Sequence, residues 1–147
     1  MYLPFSRRST VAQLSKVEQI KTESAGLRGT IAQELAEPTP RFVEANIQLL
    51  KFHGVYQQED RDERKGPRVN GEVAKPKAYS FMVRTKNPGG YAPSPLFLAL
   101  VDLCDSHGNG TLRITTRQGF QLHGVHKSEL HDVIASINEN LGSTLGA

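Results

Sequence analysis

The stretch TLRITTRQGFQLHGV, residues 111–125, contains two short runs in which apolar and polar residues alternate. Because successive side chains of a strand point to opposite faces of a sheet, each run predicts a strand with one face on a core. A tight Thr-Arg-Gln-Gly step separates the runs, so together they predict a β-hairpin. The side chains expected to face the core are Leu112, Ile114, Phe120 and Leu122. The side chains expected on the opposite, polar face are Thr111, Arg113, Thr115, Gln121 and His123.

The segments on both sides of this hairpin predict a third strand and two helices. YSFMVR, residues 79–84, alternates in the same way and places Arg84 on the polar side with Ser80 and Met82. One helix is expected to start at the N-cap Ser94, and a second helix is expected to start at Ser128 and to end at Gly142. The expected apolar faces comprise Tyr79, Phe81 and Val83 on the strand, Leu96, Phe97, Leu100, Leu103 and Cys104 on the first helix, and Leu130, Val133, Ile134, Ile137 and Leu141 on the second.

This order of strand, helix, strand, strand and helix predicts an α+β protein with a ferredoxin-like half-domain over residues 78–147. It is most of a βαββαβ sandwich and lacks the last strand. We expect a flexible N-terminus at 1–14 and a helical N-terminal arm at 15–56. Residues 57–77 are mostly charged and are interrupted by Gly and Pro, which is typical of a solvated loop or linker. A loop that contacts a partner would have the same composition.

Two helices are expected in the arm. Ser15 and Glu18 fit a capping box at the start of a short helix that ends near Gly26. The Thr39-Pro40 step places a proline at the first position of the other helix, with Gly54 as its stop.

The composition limits the class of protein and its compartment. The 147 residues include 18 basic and 15 acidic ones, so the net charge of +3 favours an anionic partner only weakly. No run approaches the roughly 20 apolar residues of a membrane span. The single cysteine, Cys104, fits a reducing compartment and a core position. We predict a cytoplasmic protein, with a plastid as the alternative if the start MYLPFSRRST is the remnant of a transit peptide.

The polar face of the predicted sheet concentrates cationic and hydrogen-bonding groups. If the three strands share one sheet, Arg84, Arg113, Gln121 and His123 lie together, and Arg117 lies in the turn beside them. Guanidinium groups stay charged and bind oxyanions through paired hydrogen bonds, so three of them near one surface indicate a multiply anionic ligand. An ordinary solvated sheet face explains the same pattern, and the residues alone leave both interpretations open.

Two other kinds of site are weighed against this one. The run RQGFQLHGV superficially resembles the glycine-aromatic strand of RNA-recognition domains, but Phe120 alternates with the core residues and position 122 is leucine. Base stacking needs aromatic side chains on the exposed face, so we do not expect nucleic-acid binding. The metal-capable residues are Cys104, His107, His123 and His126. Their spacing does not assemble four ligands, so no metal site is expected within this chain.

Four segments in order carry a resemblance to a known family. They are KFHGVYQQEDRDER (51–64), YSFMVRTKNPGGY (79–91), GNGTLRITTRQGFQLHGV (108–125) and GSTLGA (142–147). Over roughly residues 15–147 the chain resembles the N-terminal part of the ferredoxin-dependent assimilatory sulfite reductases, within the sirohaem and 4Fe-4S nitrite/sulfite reductase family. The sister nitrite reductases share the TTRQ hairpin but do not usually share the HG-x-YQQ-x-DRD or RTKNP runs. Sulfite is therefore the favoured substrate, and nitrite is the alternative.

The resemblance implies a six-electron reduction of sulfite to sulfide, with ferredoxin as electron donor. It also implies a sirohaem whose iron shares a cysteine thiolate with a four-iron cluster. Arg84 matches the arginine that faces the substrate, and the positions that match contacts to the macrocycle and its carboxylates are Arg113, Thr115, Thr116, Arg117, Gln121 and His123. Because sirohaem carries eight carboxylates, a cationic sheet face is its physical complement.

The family enzymes are several times longer than these 147 residues. Their cluster cysteines match nothing here, so the chain resembles a fragment whose site is completed by the remainder of the reductase chain. We expect no sulfite reduction by the fragment alone, and poor solubility, because a half-sandwich exposes a sheet edge and an interface. Outside the enzyme class, the alternative is a free-standing ferredoxin-like module that binds RNA.

Overall fold

The computed structural model describes residues 14–59, 68–69, 72–73 and 77–147, and the expectations for residues 1–13 lie outside them. Its helices are α1 (Lys16–Glu23), α2 (Ile31–Ala36), α3 (Glu44–Leu50), α4 (Ser94–Ser106) and α5 (Leu130–Glu139). Its strands are β1 (Val55–Glu59), β2 (Arg68–Val69), β3 (Glu72–Val73), β4 (Tyr79–Arg84), β5 (Leu112–Ile114) and β6 (Phe120–Val125). Single 3₁₀ turns span Pro88–Gly90 and Lys127–Glu129.

Four strands form one antiparallel sheet in the order β1-β4-β6-β5, and β2 pairs with β3 separately. From β4 onward the chain follows the predicted order of strand, helix, strand, strand and helix. In a βαββαβ sandwich the last strand lies beside the first. Here β1 occupies that edge beside β4, so the fourth place in the sheet is filled from the N-terminal side of the half-domain.

Strand β1 corrects the boundary predicted at residue 56 between a helical arm and a charged loop. The strand runs on to residue 59, and β2 and β3 also lie within the segment predicted as a loop. At an edge of the sheet, β1 buries Val55 completely but carries the polar Gln57 and Gln58. Such a strand has no alternating apolar run, and therefore its sequence does not reveal it.

The core lies between the sheet and the two long helices, as predicted. Phe81 and Val83 of β4 are fully buried, and Leu122 of β6 is 1% exposed. The helix residues packed against them are Leu96, Leu100, Leu103 and Cys104 of α4 and Leu130, Val133 and Ile137 of α5. The predicted core of the half-domain is therefore confirmed for its central strands and for both helices.

Three residues predicted for the core are exposed instead: Phe97 by 45%, Ile114 by 72% and Leu141 by 78%. Ile114 ends a three-residue strand that has a neighbour on one side only. Phe97 lies at the rim of the core, with its ring centroid 6.0 Å from that of Phe120. Leu141 lies beyond the end of α5 with a φ of +65°, because the Gly142 N–H bonds to the Ile137 carbonyl at 2.9 Å and reverses the chain.

A β-bulge interrupts the alternation of β6 between Leu122 and Val125. Phe81 pairs with Val125 and Val83 pairs with Leu122, so β6 carries one residue more than β4 over this step. The bulge allows both Leu122 and Val125 to face the core, although they are three positions apart. Gly124 adopts a φ of +83°, and a Cβ there would lie 2.9 Å from the Asn109 Cβ, so the bulge requires glycine.

The arm contains α1 as predicted, with the Ser15 hydroxyl accepting the Glu18 N–H at 3.3 Å. It also contains α2, which the sequence patterns did not predict. Helix α3 starts at Glu44 rather than at Thr39-Pro40, and it ends at Leu50, before the predicted stop at Gly54. The buried Glu34 carboxylate explains the later start, because it accepts the Val43 N–H at 2.8 Å and replaces a local N-cap.

Helix α5 also starts later than predicted. A 3₁₀ turn precedes it, and the Glu129 carboxylate caps that turn by accepting the His126 N–H at 3.2 Å, so Ser128 is not the cap. The same turn fastens the arm to the half-domain through the buried Lys127. Its ammonium donates to the Thr39 hydroxyl at 2.8 Å and lies 4.8 Å from the ring centroid of Phe42.

Candidate functional site

A row of three side chains crosses the polar face where β4, β6 and β5 lie side by side. Gln121 of β6 pairs with Arg84 of β4 on one side and with Arg113 of β5 on the other. Directly opposed residues of antiparallel strands project from the same face of a sheet. The structure therefore brings three of the predicted site residues together, with the glutamine between the two arginines.

The guanidinium of Arg84 contacts two other side chains. The side-chain oxygen of Gln121, oriented toward the guanidinium, accepts hydrogen bonds from Nε at 3.1 Å and from Nη2 at 2.7 Å. The Cζ of Arg84 also lies 5.0 Å from the ring centroid of Tyr56 in β1, and the quadrupole of the ring attracts the cation. Arg84 is half-buried, and these contacts restrict its orientation.

His123 lies on the same face, two residues beyond Gln121 in β6. Its Nε2 is buried and has no hydrogen-bond partner among the described residues. Burial, followed by the charges of Arg113 and Arg84, lowers the pKa of His123 below its ordinary value. A neutral imidazole with an unpaired nitrogen is therefore ready to exchange a hydrogen bond with a ligand on this face.

Thr115 stabilises the turn between β5 and β6 through hydrogen bonds to Gly119. The Thr115 hydroxyl accepts the Gly119 N–H at 3.1 Å, and its backbone N–H bonds to the Gly119 carbonyl at 2.8 Å. Gly119 lies so close to β4 that a Cβ would approach the Thr85 carbonyl oxygen to 2.5 Å. Thr116 and Arg117 are exposed at the tip of this turn. The close approach of Gly119 places the turn beside the end of β4.

A cavity of about 260 Å³ separates this turn from the loop that follows β4. Arg84 and Lys86 line it from the loop side, and Thr115 and Arg117 line it from the turn side. Three cationic side chains therefore border one small cavity, which suits an anionic group. Of the predicted site residues, Thr116 lies outside both this cavity and the row on the sheet.

A wider cavity of about 850 Å³ opens at the other end of the polar face. His123 and Gly124 of the bulge line it, together with Gln58 of β1 and Ser80 of β4. His123 lines this cavity and lies on the same face as the row of Arg84, Gln121 and Arg113, so polar groups extend along the whole face.

Tyr56 is the site residue that the sequence patterns did not single out. It contacts Arg84, but it belongs to a strand that no alternating run marked. The HGVYQQ run, residues 53–58, lies in one of the four segments that carry the family resemblance, but the resemblance gave Tyr56 no individual role.

The described residues form neither a cluster of metal-binding side chains nor a membrane-spanning helix. No group of three or more His, Cys, Asp or Glu side chains comes together as a metal site within residues 14–59, 68–69, 72–73 and 77–147. Over the same ranges, no helix is long and apolar enough to cross a membrane. Burial and the nearby Asp105 carboxylate raise the pKa of the Cys104 thiol, which disfavours the thiolate form that binds metal.

Comparison with known families gives a match that covers β4, β5 and β6 of the sheet and both long helices. Residues 73–140 match the model of the nitrite/sulfite reductase ferredoxin-like half domain. The matched residues make up a little less than half of the chain. The half domain was predicted over residues 78–147, and the matched range starts at Val73 in β3 and ends after α5.

The relatives of the half domain extend the likeness over the arm. A sulfite reductase [ferredoxin] of Synechococcus elongatus is 51% identical over 135 residues, which cover 92% of this chain and 20% of that protein. A sulfite reductase [NADPH] hemoprotein beta-component of Myxococcus xanthus is 49% identical and covers 91% of this chain and 24% of its own length. The chain thus spans about a fifth to a quarter of the length of these relatives.

A solved structure shares the fold of the half domain and of the arm. The structure of the Mycobacterium tuberculosis NirA protein superimposes with a TM-score of 0.71 at 16% sequence identity. The match covers 95% of this chain and 26% of that one. At this identity the likeness concerns the fold alone.

Proposed function

We propose that this chain is the N-terminal part of a sulfite reductase, in which it supplies contacts to sirohaem and to sulfite. The parent protein would reduce sulfite to sulfide with six electrons. The observation that carries the proposal is the row of Arg84, Gln121 and Arg113 beside the unpartnered Nε2 of His123. Because sirohaem carries eight carboxylates, it complements a face on which cations and an unpaired hydrogen-bonding atom meet.

The residues that would hold the sirohaem periphery are Arg113, Thr115, Thr116, Arg117, Gln121 and His123. The exposed guanidinium groups of Arg113 and Arg117 suit carboxylates, which they bind with paired hydrogen bonds. When bound, sirohaem with its linked four-iron cluster would transfer electrons from the external donor to the substrate. The cluster ligands would lie outside this chain, because its one cysteine, Cys104, is buried in α4.

Arg84 would bind the substrate anion. Its guanidinium has five N–H groups, of which Gln121 occupies two, so three remain for the oxygens of sulfite. A fixed cation stabilises negative charge that develops while the oxygens leave as water, and it needs no reorganisation during the reaction. The proton donors for that water are not assigned to residues of this chain.

The preference for sulfite and for ferredoxin rests on the relatives named above. Both are named sulfite reductases, and the one with 51% identity carries ferredoxin in its name, whereas the other carries NADPH. We infer ferredoxin as the donor and a cytoplasmic location, with a plastid as the alternative. A single buried thiol is consistent with a reducing compartment.

The direct test is a titration of the 147-residue chain with sirohaem, followed by its visible absorbance. We expect saturable binding that weakens about 10- to 100-fold in Arg113→Ala, since a lost charge-assisted hydrogen bond costs about 1.5–3 kcal/mol. Arg28→Ala is the matched control, because Arg28 lines a separate cavity beneath the arm. Equal affinities for the chain and for Arg113→Ala would contradict the proposal.

A second measurement concerns the activity of the chain alone. The purified 147-residue chain, supplied with sirohaem, sulfite and reduced methyl viologen, is expected to form no sulfide. Sulfide formed above the level of a protein-free control would show that the chain is a complete catalyst rather than a contributing part.

A further inference from the structure

The HGVYQQ segment, residues 53–58, has no part in the function proposed above, yet one of its side chains contacts Arg84. We propose that Tyr56 is a positioning residue. Its ring and the Gln121 amide together fix the Arg84 guanidinium so that its remaining N–H groups are presented to an oxyanion. The inference rests on the proposed function only for the identity of that anion, sulfite.

The backbone explains how Tyr56 reaches Arg84. Gly54 precedes β1 with a φ of +72°, and its carbonyl accepts the Arg84 N–H at 2.8 Å. A Cβ at Gly54 would lie 2.7 Å from the Arg84 carbonyl oxygen and 2.4 Å from that of Thr144. Glycine therefore lets β1 begin directly against the end of β4.

The strand register then selects the side chain. Tyr56 pairs with Met82, so the two project from the same face. Arg84 lies two residues beyond Met82 and projects from that face as well. Tyr56 and Arg84 are therefore diagonal neighbours, within reach of an aromatic ring.

The contacts leave one part of the guanidinium available. Gln121 engages Nε–H and one N–H of Nη2, which leaves the other N–H of Nη2 and both N–H groups of Nη1. The Tyr56 hydroxyl donates to the Ala147 carbonyl at 3.3 Å, so the ring is itself held at both ends. An arginine whose orientation is set in advance loses less conformational entropy when it binds an anion.

Tyr56 could also serve only to pack the edge strand, and the experiment separates the two roles. The Nε–Hε group of Arg84 gives its own signal in ¹H–¹⁵N NMR spectra of the 147-residue chain. A neighbouring ring shifts that signal, and hydrogen bonding slows its exchange with water. Arg113 provides an internal reference, because its side chain is exposed.

Three variants are compared with the unmodified chain. Tyr56→Leu removes the ring, whereas Tyr56→Phe keeps the ring and removes the hydroxyl. Tyr79→Leu is the matched control, since the Tyr79 ring lies 5.9 Å from Arg41 rather than beside Arg84. We expect Tyr56→Leu to abolish the ring-induced shift and to accelerate Hε exchange about two- to fivefold, the factor expected for an exposed cation–π contact. Tyr56→Phe should keep the ring-induced shift, and Tyr79→Leu should leave both properties of Arg84 unchanged.

An unchanged Arg84 signal in a folded Tyr56→Leu variant would overturn the proposal. If that variant does not fold, the unmodified chain provides the test. The proposal is then overturned if the Arg84 Hε exchanges with water as fast as the Arg113 Hε. A sulfite titration separates this inference from the proposed function. If Tyr56→Leu alters Arg84 as expected but sulfite shifts no Arg84 signal, the positioning role stands and the assignment of the substrate fails.

Discussion

Arg84 and Arg113 flank the same glutamine but lie in very different surroundings. Arg84 ends a central strand, is half-buried, and is held by Gln121 and Tyr56. Arg113 lies on the short edge strand β5 and is exposed, and its side chain has no hydrogen bond or ion pair with the described residues. A central strand can fix an arginine from both sides, whereas an edge strand leaves it adjustable. The first suits a small anion in one position, and the second suits a large ligand with many carboxylates.

The largest expected effect comes from replacing Gly54, whose carbonyl accepts the Arg84 N–H. Gly54→Ala should lower the free energy of unfolding by about 2–5 kcal/mol, combining the cost of a left-handed alanine with that of overpacking against backbone. Urea denaturation of the chain measures it. Gly26→Ala is the control, because Gly26 has a similar φ of +75° but nothing within 4 Å of its added Cβ. Equal losses in the two variants would mean that the close approach of Gly54 to Arg84 and Thr144 is unimportant.

Removal of each arginine should separate substrate binding from cofactor binding. In the complete reductase to which we propose that this chain belongs, Arg84→Ala should lower kcat about 10²–10³-fold while sirohaem content stays near normal, as when one donor to a developing charge is lost. Arg113→Ala should instead lower sirohaem content. Steady-state kinetics and the sirohaem absorbance per protein measure the two effects. The distinction between the arginines fails if both variants lose sirohaem equally.

The pKa of His123 depends on the charges of both Arg113 and Arg84, and single substitutions separate their effects. Both arginines lower it, and Arg113 is the stronger of the two. Arg113→Ala should therefore raise the pKa of His123 more than Arg84→Ala does, which NMR titration of the imidazole measures. The reverse order would place the Arg84 charge closer to the ring than the structure does.

The same pKa makes the stability of the chain depend on pH. Because the folded-state pKa lies below the ordinary value near 6.5, the unfolded chain binds the proton first as the pH falls. The free energy of unfolding should therefore decrease as the pH falls below about 6.5 and should level off below the folded-state pKa. His123→Gln should flatten this pH dependence. Urea denaturation of the unmodified chain and of the variant between about pH 5 and pH 8 tests this expectation.

The smallest expected effect concerns the edge strand beside Arg113. Ile114→Thr should change the free energy of unfolding by less than about 0.5 kcal/mol, because the side chain is 72% exposed. Leu112→Thr on the same strand should cost more, since Leu112 packs against the core. A large loss for Ile114→Thr would show that this edge is covered in solution.

The half domain could be predicted largely from sequence because its apolar residues repeat with the period of each element. Phe120 and Leu122 are buried as expected, and α4 and α5 bury the expected helical faces. The residues whose burial was predicted wrongly, such as Ile114 and Leu141, lie at the ends or edges of their elements. There the apolar periodicity continues, but no second neighbouring element covers the side chain. Helix α3 starts later than predicted because the side chain that caps it, Glu34, is distant in sequence.

The candidate site was predictable to the level of a shared face but not to the level of contacts. Alternation alone places Arg84, Arg113, Gln121 and His123 on one side of the sheet. It does not give the register that sets Gln121 between the arginines. It also does not give the pairing of β1 with β4, which brings Tyr56 to Arg84 across 28 residues of chain. Long-range strand pairing depends on tertiary structure, and no local pattern encodes it. The roles of these residues toward sirohaem and sulfite stay predictions.

The bulge at Gly124 has a consequence for how this strand tolerates sequence change. Residues before it and residues after it alternate in opposite phases, because Leu122 and Val125 both face the core although they are three positions apart. Deletion of Gly124 would remove the extra residue and leave Leu122 and Val125 two positions apart, which regular alternation places on the same face. A one-residue deletion at the bulge would therefore keep Val125 in the core, whereas regular pairing of the full-length strand would turn Val125 toward the polar face.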